Sequence, residues 1–391
     1  MEIPRFEMER AQCLYENEVK FNLSESGVRP LSLDELLPDP DQRAALTAER
    51  LCYPHSKGRV RLRQNIAAFY GVGDEDSVTV TNGGSEANYM TLWGLVDKTD
   101  RVAFMIPNYM QGSGIGTIYG RRVDTYRLVM QKDPTGALKW HLDLDSLKQA
   151  VKPSTKVIVV TNPNNPTGAV LNDAEMDAIV TAADRVGAWL VADEIYRGAE
   201  VDGPLTSTFA GRYDKVVVTA GLSKAFGLPG LRTGWIVAPS KLIRHLVQYH
   251  DYLTLTPGYL SDYLADIVME PVRRDSILER TRSIVRSNLP HLENWLADHA
   301  EILDFARPQA GAICMIRYRL PIASEPLYSR FRRERSVLVT PATHFGITGK
   351  YFRVGFGYDL DHLMAGLKEL DPPLAELQQR GRAAAGRRAT A

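Results

Sequence analysis

Between Val78 and Ala238 the chain repeats one pattern: a short apolar run rich in β-branched residues, then a stretch whose apolar positions have helical spacing. The runs are Val78–Thr81, Val102–Ile106, Val123–Leu128, Val157–Thr161, Trp189–Ala192, Val216–Ala220 and Gly234–Ala238. Segments such as Glu86–Val96 and Asp173–Val186 separate several of them. Strands that are apolar throughout must be covered on both faces, and helical crossovers demand parallel neighbours. The pattern predicts an α/β fold whose large domain has a mostly parallel seven-stranded sheet flanked by helices.

A chain of 391 residues exceeds one ordinary core, so a second domain is expected. Residues 1–45 read as an N-terminal arm and part of a smaller α+β domain, and 46–270 as the large domain. A helical pattern from Lys241 through Glu270 to His299 leads into the rest of the small domain, 271–377. That part carries short strands near Ile313–Tyr318, Val337–Val339 and Phe352–Gly355. The Arg-, Ala- and Gly-rich end, 378–391, reads as a disordered tail.

Lys+Arg and Asp+Glu both number 47, which leaves no charge footprint for nucleic acid or an anionic membrane. No apolar stretch reaches bilayer length, and the N-terminus lacks the apolar segment of a signal peptide. Cys13, Cys52 and Cys314 are too scattered for a disulfide framework or a metal knuckle. A reducing cytoplasm, and no metal, are expected.

In parallel sheets the carboxyl ends of the strands border the ligand crevice. The residues that follow each run are therefore the candidates for chemistry. Lys224 follows Val216–Ala220 in small and apolar company, where a lysine can become a nucleophile. Arg232, eight residues on, offers a planar fork for a phosphate. An amine for a Schiff base beside an anchor for a phosphate suits pyridoxal 5′-phosphate; a surface Lys and Arg flanking a loop is the alternative. Asp193 can pair with a protonated pyridine nitrogen, or merely cap a helix. Tyr196 can reach the cofactor's phenolic oxygen. Thr161-Asn162-Pro163-Asn164-Asn165-Pro166-Thr167-Gly168 is an irregular turn that can hold Asn165 against the same oxygen. Gly83-Gly84-Ser85 opens a helix and can bring backbone N–H groups to a phosphate. Tyr109 can stack on a ring or fill the core. Arg353, in an apolar strand, needs either a substrate carboxylate or a structural carboxylate partner.

Taken together these motifs, in this order, resemble the fold-type I pyridoxal-phosphate enzymes of the class I and II aminotransferase family, similar to the aspartate aminotransferase kind. Tyr53, Gly58 and Leu62-Arg63 precede the phosphate turn; Pro107-x-Tyr109, Asn162-Pro163, Asp193-x-x-Tyr196, Ser223-Lys224 and Arg353 follow. The resemblance runs from about Asn22 to about Leu367. It implies that Lys224 carries the Schiff base and moves the proton, with Asp193 on the pyridinium and Asn165 and Tyr196 on the phenolic oxygen. Tyr109 would stack on the ring, while Gly84, Ser85, Ser223 and Arg232 hold the phosphate. Tyr53 would reach that phosphate in the neighbouring subunit of a homodimer. Arg353 and Asn165 would bind the substrate's α-carboxylate, with Gly27 near the substrate. Many relatives have Ser or Thr where this chain has Gly221; Thr219 or a water offers a substitute contact.

The implied reaction converts an amino acid to a keto acid. Ser26-Gly27-Val28, Leu222–Trp235 and Asp251-Tyr252-Leu253-Thr254-Leu255 also resemble cyclases of the capreomycidine synthase type, which act on a hydroxylated arginine. Elimination or cyclisation is thus the alternative outcome at the same lysine. Segment 251–260 holds no Arg for a second carboxylate, and Glu25 and Asp251 are acidic. A cationic or hydroxylated substrate side chain is expected. Gly112-Ser113-Gly114-Ile115-Gly116 lacks the dinucleotide spacing, so a dehydrogenase is disfavoured. Nothing suggests an appended DNA-binding domain of a transcriptional regulator.

Overall fold

All seven apolar runs form strands, and an eighth joins them in one sheet. The computed structural model describes residues 3–389, with side chains through Ala383. The strands are Val78–Thr81 (β1), Arg101–Ile106 (β2), Arg122–Lys132 (β3), Leu138–Leu142 (β4), Thr155–Thr161 (β5), Trp189–Asp193 (β6), Val216–Gly221 (β7) and Gly234–Val237 (β8). Their order is β1-β8-β7-β6-β5-β2-β3-β4. The run β7-β6-β5-β2-β3 is parallel, while β8 is antiparallel to both of its neighbours.

The unexpected strand β4 returns antiparallel along β3. It is only partly covered, so it carries no continuous apolar run. Its local signal lay in Asp133-Pro134-Thr135-Gly136: Asp133 Oδ1 accepts from the N–H groups of Thr135 (2.9 Å) and Ala137 (3.1 Å).

Successive strand residues point to opposite faces of the sheet. Val102 and Phe104 join Ala87, Leu92 and Leu246 on one face; Ala103 and Met105 join Met176 and Ile179 on the other. Sheet order reverses between β5 and β2. The segments after those two strands, Thr161–Asn165 and Pro107–Tyr109, flank the crevice that such a switch point opens. The glycines of 112–116 lie within the helix Gln111–Tyr119, where Gly112 and Gly116 pack against Phe104 and Val123.

The expected helical stretch from Lys241 to His299 is three helices, Ser240–His250, Tyr259–Val268 and Pro271–Asp298. Breaks fall at Thr256-Pro257-Gly258 and before Pro271, since proline ends one helix and suits the first turn of the next. Beyond them Leu303–Phe305, Ile313–Tyr318, Tyr351–Gly355 and Thr340–Pro341 form a four-stranded sheet in that order. The N-terminal Phe21–Asn22 pairs in parallel with Val337–Leu338. Leu23, Val28, Leu289, Ile316, Phe331, Phe352 and Leu367 share a core separate from that of the large sheet. The last helix runs Leu360–Ala389, so the backbone is helical over 378–389, where a disordered tail was expected. Thr390 and Ala391 lie outside the described residues.

Candidate active site

At the carboxyl ends of β5, β6 and β7 lies a cavity of about 390 Å³. The helix Glu7–Tyr15 lines part of it through Met8, Glu9 and Gln12. Lys224, Asp193, Tyr196, Asn165, Tyr109, Gly84, Ser85, Ser223 and Arg232 all border it.

The phosphate turn sits where three backbones meet with no side chains between them. A Cβ on Gly234 would come within 2.4 Å of Gly83 C and Gly84 N, and one on Gly221 within 2.6 Å of Thr233 O. Only glycine lets the turn lie directly on β7 and β8. Gly83 has a φ of 93°, and the helix Gly84–Leu95 starts there with free N–H groups aimed at the cavity end. Arg232 is in the left-handed region (φ 46°, ψ 48°), which carries its guanidinium beside Gly83. It meets Pro229 O at 3.1 Å and Ser223 Oγ at 3.5 Å, and no carboxylate among the described residues pairs with it. The lack of a hydroxyl at Gly221 has a steric cause. Thr219 does not replace it, because its hydroxyl donates to Asn88 Oδ1 at 2.6 Å.

Asn88 in turn donates to Asp193 Oδ2 at 2.9 Å, and the Ile195 N–H reaches Asp193 Oδ1 at 3.1 Å. A turn rather than a helix follows Asp193, so helix capping is not its task. Burial pushes its carboxyl above the usual range, and no cation lies within ion-pair distance among the described residues. Asn88 was missed. It lies one helical turn after Gly84, on the same face, a spacing that could have revealed it.

Tyr196 is buried, its hydroxyl has no partner, and burial raises its pKa. Arg353 is 0% exposed. Its Nη1 donates to Asn165 Oδ1 at 2.8 Å, its Nη2 to Ser24 O and to Thr340 Oγ1 (3.3 Å), and its Nε has no partner. No carboxylate among the described residues forms an ion pair with it, and burial depresses its pKa. The structural ion pair is therefore absent, leaving a buried charge that calls for an anion.

Lys224 Nζ lies 3.1 Å from Glu25 Oε1. Gly27 is close against it, with a Cβ there meeting Lys224 Cδ at 3.8 Å. Tyr109 borders the cavity while its hydroxyl donates to Glu9 Oε1 at 2.8 Å. Glu9 and Glu16, from the N-terminal helix and its end, were not anticipated. They line the cavity, and Glu16's pKa is raised by burial and by Glu25 and Glu9. Asp251 is exposed at the end of Ser240–His250, and Tyr53 is 81% exposed; neither borders the cavity of its own chain.

The class I and II aminotransferase family matches residues 19–369. The chain belongs to that family. Capreomycidine synthase of Streptomyces vinaceus is 29% identical over 360 residues, covering 91% of this chain and 90% of that protein. A pyridoxal-phosphate-dependent aminotransferase from Streptococcus suis superposes with a TM-score of 0.88 at 28% identity, covering 96% of this chain and 99% of the other. The pyridoxal-phosphate-dependent cyclase OrfR superposes with a TM-score of 0.84 at 28% identity, over 97% and 98%.

The residues present fit the cofactor. The orphaned Tyr196 hydroxyl, the uncompensated Asp193 carboxylate, the glycine cradle with Arg232, and the amine of Lys224 match its phenolic oxygen, ring nitrogen, phosphate and aldehyde in turn. This is a pyridoxal-phosphate-dependent enzyme acting on the α-amino group of an amino acid.

Proposed function

We propose that this enzyme works as a cytoplasmic homodimer that transfers the α-amino group of an amino acid to a keto acid. The observation that carries the reading is Arg353: a fully buried guanidinium with no carboxylate partner among the described residues, bonded to Asn165, which borders the cavity. A substrate α-carboxylate supplies the missing charge in bidentate geometry. When bound, pyridoxal phosphate supplies an electron sink for negative charge at the substrate's α-carbon. Asp193, oriented by Asn88, holds a negative charge toward the ring nitrogen. Tyr196 gives its free hydroxyl to the phenolic oxygen, with Asn165 beside it, and Tyr109 backs the ring. Gly84, Ser85, Ser223 and Arg232 grip the phosphate, joined by Tyr53 of the partner subunit. Lys224 moves the α-proton, and Gly27 leaves room for the substrate. The exposed thiols of Cys13 and Cys52 suit a reducing compartment.

A cationic or polar side chain fits the rest of the cavity. Glu16 makes no ion pair among the described residues, and Glu9 gives one oxygen to Tyr109. Cyclisation or elimination on such a substrate is the second reading, favoured by the likeness to capreomycidine synthase and OrfR.

The test is a single-turnover panel of amino acids without a keto acid. Transamination leaves pyridoxamine phosphate on the protein; Lys224→Ala should abolish both the imine band and the reaction. A basic amino acid consumed without pyridoxamine phosphate would transfer the assignment to the cyclase reading. A preference for aspartate, glutamate or aromatic amino acids over all basic ones would remove the side-chain proposal.

A further inference from the structure

Among the described residues, the carboxylate within ion-pair distance of Lys224 Nζ belongs to Glu25, not to Asp193. Glu25 Oε1 is turned to the lysine, 3.1 Å from Nζ. The same oxygen accepts the N–H groups of Ser26 (2.8 Å) and Gly27 (3.0 Å), which hold the carboxylate in one orientation. The loop that carries it is itself clamped. Gly355 N donates to Leu23 O at 2.7 Å, and Arg29 N to Gly357 O at 2.8 Å. A Cβ on Gly355 would fall 1.8 Å from Glu25 O, and one on Gly357 would fall 2.2 Å from Gly27 O. The loop thus lies flat on the small domain's backbone and presents Glu25 to a lysine rooted in the large domain.

We propose that Glu25 is a catalytic group of this enzyme, the fixed counter-charge that sets how tightly the Lys224 nitrogen holds its proton. The proposal rests on Lys224 carrying the imine and the α-proton. A carboxylate held 3.1 Å from Nζ stabilises the protonated form of that nitrogen, and the strength of that hold sets when the nitrogen can act as a base.

The charges around the pair point the same way. Lys224 holds Glu25 down to about 2. Burial alone would lower Lys224, but Glu25 and Tyr196 outweigh it and the pKa is raised. Arg353, Tyr196, Tyr358 and Glu16 also face the pair. Arg353 pushes the lysine's pKa down. Burial keeps the hydroxyls of Tyr196 and Tyr358 protonated beyond their ordinary range. At neutral pH Glu25 is therefore the negative charge in contact with Nζ. An anion favours the protonated form of a neighbouring nitrogen, so removing it must lower that nitrogen's proton affinity.

The experiment is a pH titration of the visible imine band in the loaded protein, comparing wild type, Glu25→Gln and Glu25→Asp. Gln keeps an acceptor oxygen for Ser26 and Gly27. The midpoint should fall by about one unit or more in Glu25→Gln, a roughly tenfold weaker hold on the proton. Glu25→Asp, whose charge sits one methylene further away, should fall by less. An unchanged or higher midpoint in Glu25→Gln would overturn the proposal. If that variant does not load, an unchanged midpoint in Glu25→Asp does so instead. Absence of any imine band in the wild type would sink the Lys224 reading itself, a separate outcome.

Discussion

Arg353 shows how one buried charge narrows the chemistry. A guanidinium without an anion in a protein interior is costly, and Asn165, Ser24 O, Thr340 and the Phe345 ring (5.1 Å) offset only part of that cost. Substrate binding completes the site. In Arg353→Lys the ammonium cannot reproduce a planar two-point contact, so substrate affinity should fall by about 1–3 kcal/mol, the scale of charged hydrogen bonds. The imine band should persist. A spectral titration with substrate reads both; equal affinity in the variant would return Arg353 to a structural role. The identity of this residue was legible in the sequence as an arginine in an apolar strand. Its lack of a carboxylate partner was not, because potential partners are far away along the chain.

At the level of elements, the site depends on how closely the phosphate turn approaches β7 and β8. Gly221, Gly234 and the Gly83-Gly84 pair meet backbone to backbone. Asn82, just before the turn, is tied down as well: Thr254 Oγ1 accepts from Asn82 Nδ2 (2.8 Å) and donates to Glu86 Oε1 (2.7 Å), with His250 Nε2 at 3.0 Å. Gly234→Ala should force these backbones apart. A loss of about 1–3 kcal/mol in stability is expected, the usual cost of overpacking. Cofactor retention should weaken with it, since the N–H groups of the turn move away from the phosphate. Thermal melting and equilibrium dialysis would measure the two effects. An unaltered melting temperature would mean that the contact relaxes freely.

On the whole-molecule scale, the cavity of one chain lacks Tyr53. That side chain is 81% exposed, as are Leu51 (74%) and Tyr252 (84%) on the segments that flank it. Tyr259 donates to Glu49, which brings residues 49–53 and 251–260 together. Exposed apolar side chains grouped in this way mark an association surface. A homodimer is expected, and Tyr53→Ala should weaken cofactor binding while leaving the dimer intact. Light scattering would report the mass, and titration with pyridoxal phosphate the affinity. A fully active monomer at micromolar concentration would refute the arrangement.

The large sheet was readable because strands apolar on both faces imprint an uninterrupted pattern, as at Val157–Thr161 and Val216–Gly221. Its edge strand Leu138–Leu142 was not, because half-covered residues need not be apolar. Lys224, Asp193 and Asn165 could be placed in one site because each stands at or just beyond the carboxyl end of a strand, and parallel strands bring those ends together; Arg232 was placed by its spacing from Lys224. Tertiary structure alone assigned Glu25 to Lys224 and the N-terminal helix with Glu9 and Glu16 to the cavity wall, and it paired Asn88, whose spacing from Gly84 was a legible signal, with Asp193. Glu25 and Lys224 are separated by 199 positions. Local sequence determines which segments become strands and turns. Which distant carboxylate meets which nitrogen is decided only when two separately packed cores come to rest against each other.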